Sequence, residues 1–345
     1  MNIPAVAALK YSLSEKYDGC FAAVDGYRGK VYIDPSPEIL EEIRRKAKEE
    51  EEVQKEISAY FGLSSETKSG KRINLFANIG GISDIDEVTK NDAEGIGLFR
   101  SEFIFLGRDS LPSEAEQFKI YKNAAEKMNG KKVIIRTLDI GADKSAPYLN
   151  LAKEENPAMG LRAIRLCLAK QDIFKTQLRA ICRASAFGNI AIMLPMIVSS
   201  KEIRRSKEIL GTVKEELLSE KIPFSDNIEF GIMIETPAAA ITSDILAKEA
   251  DFFSIGTNDL TQYTLAADRQ CSALSYILEN QNKAVLRLIE LAAKNAAKNG
   301  IWAGICGEMA ADTSLTEFFV NIGISELSVS PKYILPLRKK IRSIL

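Results

Sequence analysis

Arg100, Arg136, Glu235, Asn258, Asp259 and Cys306 each stand at the end of an apolar run of the kind that forms a buried strand. Arg162 and Arg269 follow in connecting segments. Guanidinium groups offer planar forks to phosphate and carboxylate oxygens. Glu235 and Asp259 are hard oxygen donors. With waters and substrate oxygens they suit octahedral Mg²⁺, or Mn²⁺, better than zinc. Asn258 adds a neutral donor. Cations gathered around a carboxylate pair describe a metal-assisted site for a small, highly charged phosphate or carboxylate. The sequence contains no histidine, which excludes His-based triads, His-ligated metals and a phosphohistidine on these residues. Asp, Glu, Lys, Tyr or Cys must then carry any proton transfer. One arginine at a strand end is a solvated end as readily as a ligand. The same placement on several strands points to a shared polar mouth, because an unpaired buried charge is expensive.

The elements that must position these groups follow from periodicity. Eight short apolar runs, Ile73–Ile79, Gly95–Arg100, Lys132–Asp139, Ala191–Ile197, Phe230–Thr236, Phe252–Asp259, Trp302–Met309 and Glu326–Ser330, alternate with amphipathic helical stretches. The helical stretches include 113–128, 172–186, 200–219, 237–249, 282–298 and 332–344. Eight buried strands alternating with helices predict an α/β fold, a (β/α)₈ TIM barrel over 73–345, a span typical of that fold. Its functional groups belong at the C-terminal ends of the strands, where the residues above stand. Before the barrel, 35–72 reads as a linker helix starting near Pro37 and stopping at Gly62, with Glu49–Glu52 on a solvated face. Residues 1–34 read as two short strands, Cys20–Val24 and Lys30–Ile33, joined by a turn at Asp25–Gly29. Two strands do not form a stable domain alone, so further sequence is expected upstream.

Composition narrows the setting. Lys plus Arg number 46 against 47 Asp plus Glu, so no global field recruits nucleic acid or an anionic membrane. No apolar run is long enough to cross a bilayer, and Met1-Asn2-Ile3-Pro4 has neither a basic leader nor an apolar signal core. Five scattered cysteines without a Cys-x-x-Cys pair argue against a disulfide framework or a zinc site and suit a reducing cytoplasm. Cys167 and Cys182 lie inside helical stretches and read as small buried hydrophobes. Cys306 is different, at a strand end between Gly304 and Gly307. Glu308 reads equally as a support for the site or as structural, and Lys144 as an orienting group for the Arg136 loop or a solvated one.

Several strings carry a resemblance. They are Gly95-Ile96-Gly97-Leu98-Phe99-Arg100-Ser101-Glu102-Phe103, the stretch Arg136–Lys144, Glu235-Thr236-Pro237-Ala238-Ala239, the stretch Asp251–Tyr263 with Asp268-Arg269, and Gly304-Ile305-Cys306-Gly307-Glu308. Together they resemble the PEP-utilising enzyme family over nearly the whole chain, and most of all its enzyme I branch, which serves bacterial sugar uptake. The resemblance implies that Arg100, Arg136, Asn258, Asp259 and Arg269 hold phosphoenolpyruvate (PEP), with Arg162 near the phosphoryl group. It implies that Glu235 and Asp259 hold Mg²⁺ and that Cys306 protonates the enolate carbon to give pyruvate. It further implies a phosphohistidine domain as acceptor, a histidine phosphocarrier protein beyond it, and a homodimer formed through the barrel. Phe318 and Phe319 are candidates for that interface or for the core. Residues 1–34 resemble only the tail of the family's swivelling phosphohistidine domain, where Ile3-Pro4-Ala5-Val6 follows the histidine. Relatives run on past the position of Leu345, and Gln270–Lys283 is unlike the family loop. Two other functions stay open, a Mg²⁺-dependent lyase acting on a pyruvate enolate and a non-catalytic PEP sensor.

Overall fold

The computed structural model describes all residues except 1–4, 7, 8, 10–13, 27, 142–145, 275 and 280. The described chain divides into two compact units, 1–60 and 61–345. In the first, β1 (Ala22–Asp25) and β2 (Lys30–Ile33) pair antiparallel with Ala22 opposite Ile33. A helix over Pro37–Ser58 follows, opened by the proline in its first turn, where the missing N–H is no loss. It stops four residues before Gly62, whose positive φ of 73° makes the turn beyond.

In the second unit the eight apolar runs become eight parallel strands. They are β3 (Asn74–Ile79), β4 (Gly95–Arg100), β5 (Val133–Arg136), β6 (Ile190–Leu194), β7 (Glu229–Ile234), β8 (Phe252–Gly256), β9 (Trp302–Cys306) and β10 (Glu326–Val329). They close in sequence order, with β10 pairing back onto β3. The expected (β/α)₈ barrel is therefore the fold. Helices over Glu114–Lys127, Gln171–Ser185, Ser200–Ser219, Lys283–Lys298 and Ile334–Ser343 lie in the connections and after the last strand.

Side chains alternate between the two faces of each strand. One set, including Leu75, Phe99, Ile135, Ile192, Ile232, Phe253 and Ile305, joins the large core shared with the helices. The alternate set, Phe76, Leu98, Ile134, Ala191, Met193, Met233, Phe252 and Cys306, packs separately with Trp302 as the filling of the lumen. Trp302 stacks on Phe252 at 4.4 Å between ring centroids. The barrel is thus a packed core open to chemistry only at its ends.

Several strands are shorter than the apolar runs suggest. β5 ends at Arg136, and Thr137–Asp139 leave the sheet. Asn258 and Asp259 stand in the first turn of a helix, Thr257–Leu265, and not on a strand. The 237–249 stretch is two short helices, Pro237–Ile241 and Ser243–Leu246. Phe319 is fully buried and Phe318 packs on it at 5.7 Å, so both belong to the core.

Candidate active site

Adjacent strands bring two arginines to one end of the barrel. Arg100 and Arg136 are the last residues of β4 and β5 and stand opposite each other in register. Arg136 is buried. It donates to Glu102 at 2.6 Å and pairs with Asp139 at 3.0 Å. Arg162, just before the helix Ala163–Ala169, donates to the other oxygen of Asp139 at 2.8 Å and to the Tyr263 hydroxyl at 3.3 Å. Asp139, itself buried, therefore clamps two guanidiniums at once. Burial works against the Arg136 charge, but Glu102, Asp139, Glu235 and Asp259 outweigh it and leave its pKa raised. Arg162 follows the same pattern, with Asp139 the chief support. Such pairs stay charged and fixed because breaking one strands a buried ion.

Glu235 follows β7 directly and is 1% exposed. Its Oε1 accepts from the Met196 amide at 2.5 Å. Burial first, then the charges of Asp259 and Asp139, push its pKa up to about 8 against the pull of Arg136 and the Met196 N–H. The backbone makes room for it at Gly256, where an added Cβ would lie 3.0 Å from Glu235 Oε2. Asn258 is fixed on the other side, its Oδ1 accepting from the Glu308 amide at 3.0 Å. Gly307 permits that approach. Its φ is 112°, and a Cβ there would meet Thr257 Oγ1 at 2.4 Å.

Two facing carboxylates, one of them forced toward its neutral form, are a site that a dication would relieve. Among the described residues no group of three acidic, cysteine or histidine side chains is arranged to hold a metal ion. The donor set is thus two hard oxygens, which fits Mg²⁺ completed by water and substrate oxygens. The charge count points the same way. Arg100, Arg136 and Arg162 give three positive charges against Glu102, Asp139 and Asp259, and Glu235 adds a fourth negative charge only when ionised. In either form of Glu235 these groups have no positive excess to hold an anion without a metal.

Cys306 ends β9 and points into the lumen beneath this mouth, 2% exposed. Its sulfur accepts from the Ser254 hydroxyl at 3.2 Å. Burial pushes its pKa up to about 12, above the ordinary thiol value that the sequence alone permits. The group is therefore a thiol at neutral pH, an acid with a proton to give.

The structure gathers Arg136, Arg162, Glu235, Asp259 and Cys306 around one end of the barrel, with Arg100 at its edge and Asn258 linked through Glu308. Arg269 is exposed, and its backbone amide is held by Gln262 Oε1 at 3.2 Å, while among the described residues its side chain makes no hydrogen bond or ion pair with that cluster. Lys144 lies outside the described residues. Asp139 and Tyr263 are supports that spacing alone does not single out. Asp139 looks like one more polar strand end until the chain folds back to bring Arg162 onto it.

Residues 49–345 match the family model for the PEP-utilising enzyme, PEP-binding domain. The chain is 46% identical over its full length to a phosphoenolpyruvate-protein phosphotransferase of Priestia megaterium, covering 60% of that relative. It is 47% identical over 99% of its length to the phosphoenolpyruvate-protein phosphotransferase of Bacillus subtilis, again covering 60% of the relative. The chain thus spans about three-fifths of these curated relatives. Among solved structures, a HpcH/Hpal aldolase/citrate lyase family protein from Burkholderia cenocepacia superposes with a TM-score of 0.48 at 11% identity, over 82% of this chain and 95% of that one.

Proposed function

The chain belongs to the PEP-utilising enzymes through their PEP-binding domain, and from that premise we propose that it is the phosphoryl-donating half of a phosphoenolpyruvate-protein phosphotransferase. PEP sits at the barrel mouth. Arg100, Arg136 and Arg162 take its phosphate and carboxylate oxygens, and Asn258 and Arg269 complete the grip. Glu235 and Asp259 would hold Mg²⁺, which when bound would supply the positive charge that the substrate anion needs. The bridging P–O bond breaks with its electrons going to the enolate oxygen, and the phosphoryl group passes in line to an acceptor nitrogen. No histidine lies in these 345 residues, so the acceptor is a histidine of a phosphohistidine domain outside them, and a histidine phosphocarrier protein receives the group next. Cys306 then protonates the enolate carbon and pyruvate leaves. The protein works in the cytoplasm as a homodimer, in the service of sugar uptake.

The observation that carries this reading is the arginine cluster matched in charge by carboxylates directly above a buried thiol. A multiply charged anion gains little there until a dication adds a positive excess, and a thiol placed in the lumen has no role in binding alone. Calorimetric titration with PEP tests it. We expect binding with Mg²⁺ or Mn²⁺ and at least a tenfold weaker affinity (about 1.4 kcal/mol) after chelation. Equal affinity with and without metal contradicts the assignment of Glu235 and Asp259.

A further inference from the structure

One buried acid has no part in the mechanism above. Glu326 opens β10 at the end of the barrel opposite the mouth, yet it is 1% exposed. Its carboxyl lies in the lumen because two glycines leave space for it. A Cβ at Gly97 would stand 2.5 Å from its Oε1, and one at Gly304 only 1.7 Å from its Oε2. Oε1 has no hydrogen-bond partner among the described residues.

The register explains where the carboxyl leads. Ser254, Gly304 and Glu326 form one row across β8, β9 and β10. Since the middle member has no side chain, the Glu326 carboxyl occupies its place in the row that Ser254 continues. Ser254 in turn donates to Cys306 Sγ at 3.2 Å. We propose that Glu326 is the proton reservoir of the site, reloading Cys306 through the Ser254 hydroxyl after each protonation of the enolate. This rests on the reading of Cys306 as the acid.

The step balances. Once Cys306 has given its proton to carbon, the thiolate takes the Ser254 hydroxyl proton, and Ser254 takes the carboxyl proton of Glu326. The carboxylate regains a proton from water at the far end of the barrel, where Lys132 is close enough for its charge to act on it. The buried carboxyl with its unpartnered Oε1 favours the acid form. Burial pushes the Glu326 pKa up to about 8 against the opposing pull of Ser328 and Lys132, and that of Cys306 to about 12, so transfer from the acid to the thiolate runs downhill. The substrate's end of the barrel can then stay closed to water while the thiol is recharged from behind.

Hydrogen–deuterium exchange at the pyruvate methyl group, followed by mass spectrometry with Mg²⁺ in deuterated water, tests this. Glu326→Gln keeps the shape and removes the acid. We expect its exchange rate to fall at least about tenfold, with pyruvate half-saturation unchanged, and Glu326→Asp to recover part of the loss. Infrared difference spectra of the ligand-free chains at neutral pH should show a protonated-carboxyl stretch that Glu326→Gln lacks. Exchange in Glu326→Gln at the rate of the unmodified chain, an aspartate variant no faster than the glutamine one, or no such stretch overturns the inference. If Glu326→Gln does not fold, Ser254→Ala cuts the relay at its middle and carries the same expectation and the same contradiction. Absence of exchange in the unmodified chain overturns the reading of Cys306 itself, and this inference with it. Exchange present there and undiminished in the variants overturns this inference alone.

Discussion

Cys306→Ala separates binding from proton transfer at the level of a single side chain. The thiol is uncharged, lies beneath the arginine cluster and, among the described residues, accepts from Ser254. Its loss should leave PEP affinity within about twofold and slow methyl exchange on pyruvate by about 10² to 10⁴, the usual weight of a positioned acid. Unchanged exchange, measured by mass spectrometry, would move the acid role to another group, with Glu308 the nearest alternative. Glu235 gives a pH dependence with a definite sign. Its acid form is favoured by burial and by Asp259, and only the ionised form ligates a metal. Mn²⁺ affinity, read by electron paramagnetic resonance, should therefore keep rising with pH well above the ordinary carboxylate range and level off once Glu235 is ionised. In Glu235→Gln the metal should bind weakly at every pH. Most of these groups were legible in the sequence because each is a polar residue ending an apolar run. Glu326 was not. It begins its run, where a charge ordinarily faces water, and only closure of the barrel over Gly97 and Gly304 puts it inside.

Short turns, as much as strands, set the geometry of the mouth. Gly307 is held at φ 112°, a conformation closed to other residues, between β9 and the 3-10 turn Glu308–Ala311. Its neighbours link this turn to the helix Thr257–Leu265, Thr257 Oγ1 donating to the Cys306 carbonyl at 3.3 Å, the Glu308 amide to Asn258 Oδ1 at 3.0 Å and Asn258 Nδ2 to Glu308 Oε1 at 3.4 Å. Gly307→Ala should destabilise the chain by about 1–3 kcal/mol and weaken PEP binding by at least about tenfold. Calorimetry on the folded fraction checks this, and full affinity in a folded variant would show that the turn does not position Asn258. Strands and long helices were readable from period alone, since burial on both faces leaves near-continuous apolar runs. Their C-terminal boundaries were not. Asn258 and Asp259 continue a strand-like run in sequence, but Gly256 and Thr257 break it, and helix hydrogen bonds take over as soon as the chain leaves the barrel. The same holds for Thr137–Asp139, which leave the sheet so that Asp139 can meet both Arg136 and Arg162.

At the scale of the whole molecule, the proposed donor site lies on a barrel whose sequence contains no histidine to act as acceptor. Eight parallel strands bring cations, carboxylates and a thiol to one end, the arrangement proposed to stabilise a departing phosphoryl group without itself receiving it. Transfer to a separately added domain forfeits the high effective concentration of a tethered one, so the rate should depend on how much of that domain is present. The most direct measurement is transfer of radiolabelled phosphate from PEP in the presence of Mg²⁺, with and without an added phosphohistidine domain of enzyme I. The chain alone should acquire no acid-labile label, and the added domain should acquire it at a rate that rises with its concentration. Acid-labile label on this chain, or no label on the added domain at any concentration despite measurable PEP binding, would contradict the proposed role as phosphoryl donor.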